Sequence, residues 1–545
     1  WQARATEANR QPPRLETHDR FGRRRDAAAY HPAYHQLLQL GVEAGVSAFA
    51  WQPEHEGRAG AHVIRGALLH LMTQLDPGAC CPLTMGFGAV PVLRQQRPEH
   101  DRQGCVAELL AKMQSCRYSG ADGPLSSKPG ATVGMSMTEK QGGSDVRSNT
   151  TRAEPVQPGQ EGPGDAFWLT GHKWFTSAPM SDAFVTLAQT KEGVSCFVVP
   201  RWLPDGSRNE GFMLQRLKEK IGDKSNASSE VEYRSAWGLM LGEPGRGVRT
   251  IVTMVVHTRL DCIISSSSIM RACAQQAARH AHGRAAFGRR LLDQPLMRSV
   301  LADLAIESEA AVATWLRLAS GFDRSREDES EAAFVRLATA VCKYYICKRA
   351  PVVAAEAVEC HGGNGFVEEA PVAKFFRQSP LNAIWEGSGN VICLDVIRAL
   401  QREPESTRAF LRELEEAVPL AEAAARASGR CNAYGRAVAA IREQVTLPPQ
   451  SLEPVARAMV DRLAVCLQAA ALLRHGDAAV AQAFLATRLP APGAPADLGQ
   501  LPGHHLGALA SSLPEETVQR LLDRLLVLEV AEGADGGAAV GRARL

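Results

Sequence analysis

The sequence predicts an α+β chain made of an N-terminal helical domain, a middle antiparallel β domain, a C-terminal helical bundle and an extra C-terminal helical domain. Three observations carry this prediction. Apolar residues recur at helical spacing on both sides of a central stretch, and that stretch switches to short β-rich runs broken by Gly, Pro and Asp. At 545 residues the chain also exceeds what one hydrophobic core encloses, and at roughly 100 to 200 residues per domain it divides into three or four units.

The first unit, residues 1–130, reads as helical. From about His31 to Arg117 the apolar positions fall at helical spacing, as in Leu37, Leu38, Leu40 and Val42, then Ile64, Leu68, Leu69, Leu71 and Met72. The second unit, 131–247, contains "ATVGMSMTE", "AFWLTGHKWFTS", "FVTLAQT", "VSCFVVP" and "SEVEYRS", which read as the strands of a small antiparallel barrel or sandwich. After "LGEPGRGV" helical periodicity returns at about 248–282, 294–322, 330–358 and 388–402, giving a third unit over 248–402 with a break at "CHGGNGFVEE". The fourth unit, 403–545, is again helical, is interrupted by the loop "LPAPGAPADLGQLPG", and trails into "EGADGGAAVGRARL", whose composition predicts disorder.

Composition narrows the partners. With 45% hydrophobic and 22% charged residues and a formal charge of +2, no global field draws the chain to nucleic acid or membrane. Residues 401–545 carry 15 Arg and no Lys against 17 Asp and Glu, a net of −2, and their aromatics are Phe410, Tyr434 and Phe484. This speaks against DNA as a partner of the last unit. No uncharged apolar run reaches the roughly 18 residues of a membrane span. Thirteen cysteines, an odd number without C-x-x-C spacing, indicate neither a zinc site nor a disulfide framework and point to a reducing compartment. Cytoplasm or mitochondrial matrix fits that expectation, and the terminal Ala543-Arg544-Leu545 is a relaxed form of a peroxisomal address.

Several motifs stand out. "MTEKQGGSD", 137–145, follows an apolar approach and turns tightly at Gly142-Gly143, which makes it either a surface turn or a loop offering amides and a hydroxyl to a phosphate. In "GHKWFTSAP" strand alternation would put Trp174 and Thr176 on one face, suited to a flat heteroaromatic ring or to a core Trp beside a solvent-side Thr. "RAAFG" at 284–288, followed by Gln294, and "ECHGGNGF" at 359–366 each have a plain helix-end reading. In "IWEGSGN", 384–390, Glu386 is either a helix cap or a base whose pKa burial beside Trp385 would raise.

Taken in order, these motifs resemble the acyl-CoA dehydrogenases across roughly residues 30–402. "LKEKIGDKSNASSEVEY" and "LGEPGRG" resemble the close of that family's sheet domain, and "GMSMTEKQGGSDVRSNTTRAE" with "IWEGSGNVICLDV" is similar to its AidB branch, which is linked in bacteria to the response to DNA alkylation. The resemblance implies the acyl-CoA dehydrogenase-like fold, a FAD cofactor, an acyl-CoA substrate, an electron-transfer flavoprotein or other acceptor, and a homodimer or homotetramer. It implies no metal.

Carried over residue by residue, the resemblance makes Thr138 a partner of the flavin ring and sets Gly143 and Ser144 against the pyrophosphate. Trp174 becomes the flavin wall and Thr176 the partner of N5. Arg284, Phe287 and Gln294 would reach the adenine and pyrophosphate end of a neighbouring subunit's FAD, with Gly362 and Gly363 alongside, while Ser388 and Asn390 close on the adenosine end. Glu386 matches the commonest position of the family's base. Some members place the base just before an arginine on an earlier helix, and here that position is Thr258, ahead of Arg259. The implied reaction is α-proton abstraction from the thioester by Glu386 with hydride passing to flavin N5. The carbonyl would be polarised by the base's own N–H and a ribityl hydroxyl.

Arg259 and Trp385 are implied on the substrate side. Trp385 stands where many members have Tyr, Glu359 where many have Gln, and Lys140-Gln141 belongs to the AidB branch. A bulky indole beside the base would reshape the acyl pocket. Two alternatives share these residues: a flavoprotein that binds DNA in an alkylation response, and a catalytically quiet acyl-CoA binder. Retention of Glu386 favours chemistry.

Overall fold

In the computed structural model the described residues are 1–101, 103–429, 431–489, 506 and 510–526. The segment expected to be disordered, the terminal tripeptide and most of the Pro/Gly-rich loop lie outside them. The chain divides into two compact units. One comprises 1–265, 319–332 and 384–391; the other comprises 266–318, 333–383 and 392–545.

The first unit begins with α1 (Gln2–Arg10) and a hairpin of β1 (Arg14–His18) and β2 (Arg24–Ala29). Helical spacing gave no sign of this hairpin, because its strands are dominated by charged residues and alanine. Helices α2 (Pro32–Glu43), α3 (Ala61–Leu75), α4 (Pro77–Leu93) and α5 (Cys105–Gln114) follow. Proline at the first position and a capping side chain start two of them: His31 accepts from the Ala33 N–H ahead of α2, and Asp76 accepts from the Ala79 N–H ahead of α4. Helix α4 is buried along almost its whole length, so it is the central helix of this unit.

The β domain comprises β3 (Val133–Ser136), β4 (Arg152–Pro155), β5 (Ala166–Ser177), β6 (Ala183–Thr190), β7 (Gly193–Pro200), β8 (Phe212–Leu217) and β9 (Ser228–Leu241). Its order is β3-β6-β4-β5-β9-β7, with β8 on β9, and β6 also pairs with β7, so the sheet closes on itself. Closure removes most free edges. Pairing is antiparallel except where β6 meets β3 and β4. Phe167, Phe184, Phe197, Phe212 and Tyr233 fill one side of the sheet. The other side packs Val185, Leu187, Val198 and Leu239 with Met85, Val90, Leu109 and Met113 of α4 and α5. Both faces of β6 are therefore covered, and six of its eight residues are buried in succession.

Four long or medium helices follow: α6 (Gly247–Gly283), α7 (Pro295–Arg324), α8 (Glu329–Cys360) and, after the short α9 (Pro371–Gln378), α10 (Gly389–Arg402). Between α6 and α7 a second hairpin pairs β10 (Ala285–Ala286) with β11 (Arg289–Arg290). In the second unit the C-terminal helices are α11 (Pro404–Glu416), α12 (Val418–Ser428), α13 (Ala433–Gln444), α14 (Pro449–Leu452), α15 (Ala456–His475), α16 (Ala478–Arg488) and α17 (Glu515–Leu525). Arg488 of α16 is buried against Asp303 and Glu307 of α7, and Arg349 of α8 closes on Glu307 at 2.9 Å. Arg317 of α7 meets Glu413 of α11 at 2.8 Å. Arginine forks satisfy buried carboxylates bidentately, so these pairs join the last helices to α7 and α8.

Among the described residues no helix is long and apolar enough to cross a membrane, and no three His, Cys, Asp or Glu side chains are grouped to hold a metal ion.

Candidate active site

The loop 137–145 is held from within by a side chain that carries no obvious sequence signal. Glu139 is fully buried. Its Oε1 accepts from Lys173 Nζ at 2.9 Å, Thr151 Oγ1 at 2.6 Å and the Thr151 N–H at 3.1 Å. Its Oε2 accepts from the Thr150 N–H at 2.7 Å, Thr150 Oγ1 at 2.9 Å and Gln141 Nε2 at 3.0 Å. Burial alone would raise this carboxyl's pKa, but Lys173 and the surrounding donors override it and hold the group far below the usual carboxylate range. Burial brings the Lys173 ammonium down to about 8 against the pull of Glu139. The pair is ionised at neutral pH.

With Glu139 turned inward, residues 140–145 are left exposed. Glu139 and Gly142 exchange backbone hydrogen bonds across a tight turn, and Gly142 has φ of 139°, where a side chain would be strained. A Cβ on Gly143 would lie 2.5 Å from Thr138 Oγ1. Gly143 and Ser144 are exposed, and the Thr138 carbonyl accepts from the Trp174 N–H at 2.8 Å, which ties the loop to β5. The Lys140 N–H donates to His172 Nε2 at 2.9 Å.

Strand β5 carries a bulge between Lys173, opposite Val231, and Thr176, opposite Ser229. The plain alternation expected to set Trp174 and Thr176 on one face is interrupted there. Thr176 is fully buried with its Oγ1 2.5 Å from Ser136 Oγ, whereas Trp174 is half-buried. Lys218 Nζ stands 3.4 Å from the centre of the Trp174 ring while also bonding Glu230 at 2.7 Å. A second lysine, Lys140, stands 5.9 Å away. The Trp174 indole is thus held by a cation–π contact.

Glu386 sits in the left-handed region with φ of 59°, and Gly387 follows at 106°. A non-glycine residue there costs roughly 1–3 kcal/mol and is maintained by its surroundings. Those surroundings lie on α6: Thr258 Oγ1 is 2.8 Å from Glu386 Oε2, and Arg259 Nε donates to the Glu386 carbonyl at 3.1 Å. The position read as an alternative site for the base therefore touches Glu386 itself. Trp385 packs against the core that joins α4, α5 and the sheet. Ser388 is half-buried and Asn390 exposed at the start of α10.

In the second unit, "RAAFG" forms the β10–β11 hairpin instead of a helix end. Phe287 and Gly288 are its two-residue turn, both with positive φ (53° and 79°), as a type I′ turn requires. Phe287 is 98% exposed at the tip of the hairpin. Gln294 braces the hairpin, donating to the Ala286 carbonyl at 3.2 Å and accepting from Arg289 Nε at 2.9 Å. Arg284 is exposed one residue before it. Gly362, left-handed at φ of 59°, and Gly363 are exposed just after α8, where a Cβ would meet nothing within 4 Å. His361 beside them lies against His280, the ring centres 4.7 Å apart and the planes tilted by 31°.

The first unit thus brings the loop 137–145 together with Trp174 and brings Glu386 together with Arg259 and Thr258. The second collects the β10–β11 hairpin residues. Glu139, Lys173, Lys218 and the contact made by Thr258 were not foreseen. The Glu139–Lys173 pair joins residues 34 positions apart, neither marked by its sequence neighbours, and pairing them needs the sheet register.

Three family descriptions match the chain: the adaptive response protein AidB N-terminal domain over residues 1–120, the acyl-CoA dehydrogenase middle domain over 134–236, and the acyl-CoA dehydrogenase C-terminal domain over 245–401. AidB of Escherichia coli (strain K12) is 42% identical over 486 residues, covering 89% of this chain and 85% of that protein. Acyl-CoA dehydrogenase family member 11 of Caenorhabditis elegans is 28% identical over 424 residues, covering 75% of this chain and 66% of that protein. The solved structure of Caenorhabditis elegans ACDH-11 in complex with C11-CoA superposes with a TM-score of 0.81 at 25% identity, covering 98% of this chain and 89% of the other.

Proposed function

The chain belongs to the acyl-CoA dehydrogenase family, in its AidB branch, and from that premise we propose that it is a FAD-dependent acyl-CoA dehydrogenase that removes an α-proton and a β-hydride from an acyl-CoA thioester. One observation carries the reading: Glu386, at the family's base position, is fixed at its carboxylate by Thr258 and at its carbonyl by Arg259. A base must be held within reach of the proton it takes, and this arrangement fixes both ends of the residue.

The residues present fit a flavin. Gly143 lies so close to Thr138 that any side chain there would collide with its hydroxyl, the exposed residues Gly143 and Ser144 lie where their backbone amides would meet a pyrophosphate, and Trp174 presents a held aromatic surface. Thr138, Gly143, Ser144, Trp174 and Thr176 would hold the flavin end, and Arg284, Phe287, Gln294, Gly362 and Gly363 the adenine end of FAD in a second copy. FAD, when bound, supplies the hydride acceptor. Glu386 takes the α-proton onto its carboxylate, Arg259 keeps the base's backbone in its left-handed conformation, and Trp385 bounds the acyl side. The C11-CoA held by ACDH-11 supports a fatty acyl-CoA as the substrate class.

The test is anaerobic mixing of the FAD-loaded protein with acyl-CoA thioesters of increasing chain length. Bleaching of the flavin absorbance is expected with a subset of lengths and names the substrate. A FAD-loaded protein that no thioester bleaches would remove the dehydrogenase reading.

A further inference from the structure

Thr258 lies on α6, 4% exposed. Its Oγ1 stands 2.8 Å from Glu386 Oε2 and 3.2 Å from the carbonyl oxygen of Val255, one turn earlier. Both are acceptors when Glu386 is ionised. A hydroxyl has one proton and two lone pairs, so it donates to one of them at a time. The carboxylate is the shorter and charge-assisted partner and takes the proton. Once Glu386 carries a proton of its own, its O–H has an acceptor in Thr258 Oγ1, and the threonine proton is released to Val255.

We propose that Thr258 is the positioning residue of the base, one oxygen that holds the Glu386 carboxyl in both of its protonation states by reversing the direction of a single hydrogen bond. The inference rests on Glu386 being the base of the proposed reaction. It explains why a hydroxyl is useful at this place. A purely donating side chain would oppose proton uptake, and an apolar one would take this acceptor away from the protonated acid.

The surroundings keep the oxygen in place. Gly88 of α4 approaches so closely that a Cβ there would lie 2.9 Å from Thr258 Cγ2, so the helix backbone confines the methyl branch. A β-branched side chain has few χ1 settings, and confining the methyl selects among them. Arg259 holds the Glu386 backbone from the next position on the same helix. Residues 258 and 259 thus pin the two ends of the base.

Arg259 is a charged side chain bonded to Glu386's backbone, Asp261, three residues beyond Thr258 on α6, is paired with Arg65 of α3, and α4 contains no Asp, Glu, Lys or Arg between Asp76 and Arg94. The α4 thiols of Cys80 and Cys81 are pushed up by burial and stay neutral. His257, adjacent on α6, is lowered to about 4 by burial and faces the rings of Trp51, Phe87 and Phe322.

The experiment is an infrared titration of the Glu386 carboxyl, isolated as the difference between each full-length protein and its Glu386→Gln counterpart. Thr258→Val keeps both branches and removes the hydroxyl, Thr258→Ser keeps the hydroxyl alone, and Thr258→Ala, which relieves the Gly88 contact, repeats the loss of hydroxyl should the valine variant not fold. The Val and Ala variants are expected to titrate about half to one pH unit higher than wild type, because the charge-assisted bond to the carboxylate that they lose outweighs the neutral bond from the protonated acid that they lose with it, and Ser to follow wild type. Titration of the Val or Ala variant at the wild-type position overturns the proposal. The readout needs no turnover: a shifted titration in a protein that no thioester bleaches keeps the Thr258 role and rejects the dehydrogenase reading, and an unshifted titration in a protein that bleaches does the reverse.

Discussion

Two glutamates, 139 and 386, stand at the ends of short apolar approaches, each beside a turn, and the chain treats them in opposite ways. Glu139 is buried on all sides, paired with Lys173 and surrounded by further donors from Thr150, Thr151 and Gln141. Glu386 sits on a strained backbone, half-buried, with a reversible hydroxyl on its carboxylate. A carboxylate ringed by donors cannot accept a proton near neutral pH and serves as a fixed anchor. One held by a group that both donates and accepts can accept a proton and keep its place. The difference lies in the type of hydrogen-bonding partner, which neither motif reveals by itself.

Removing the anchor should have the largest effect on stability. Glu139→Ala leaves the Lys173 ammonium buried without its partner, and breaking one side of a buried pair costs about 3–5 kcal/mol. Denaturant unfolding would measure it, and loss of bound FAD should follow because the loop 137–145 loses its internal support. A stability loss below about 1 kcal/mol would mean that Glu139 and Glu386 do not differ as described.

Acid titration sharpens the same contrast. The pKa of Glu139 in the folded chain lies below its unfolded value, so the unfolded state binds more protons between the two. Its stabilising contribution is complete above about pH 5 and is lost as pH falls below about 4.3. Unfolding free energies of wild type and Glu139→Gln should therefore converge in acid and stay apart near neutrality. His257 adds a term at higher pH: with its pKa lowered to about 4, it favours the folded state fully above about pH 6.5, and this contribution is lost as pH falls toward 4.

Smaller effects belong to the outward side of the loop. Gly143→Ala should push Thr138 aside and weaken FAD binding about tenfold, an expected cost near 1.4 kcal/mol, with protein stability little changed. Lys218→Met removes the ammonium over Trp174 and should cost about 0.5–1 kcal/mol. It should also alter Trp174 emission, read by fluorescence.

Much of the fold was legible because its signals are local. The stretches read as helical at 248–282, 294–322, 330–358 and 388–402 match α6, α7, α8 and α10 within a few residues, and "AFWLTGHKWFTS" is β5 from end to end. Long periodic helices and alternating strands announce themselves in the side chains that they bury. The β1–β2 hairpin escaped because Arg24, Arg25 and Asp26 hide its pattern, and Asp26 is buried by accepting from Arg24 and the Leu214 N–H, partners that no local reading supplies. The β10–β11 turn was missed because Phe-Gly is an uncommon choice where Asn-Gly is usual. The bulge in β5 between Lys173 and Thr176 depends on β9 and is invisible in β5 alone. At the site, family motifs pointed to Glu386, Thr258 and Arg259, but their mutual contacts are tertiary, joining residues 128 and 127 positions apart.

The most direct test of the account is exchange of the α-proton of an acyl-CoA thioester in deuterated buffer, followed by mass spectrometry, with wild type and Glu386→Gln. Wild type should catalyse deuterium entry at the α-carbon, and Glu386→Gln should slow it by about a thousandfold while still binding FAD. Equal exchange rates in the two proteins would contradict Glu386 as the base.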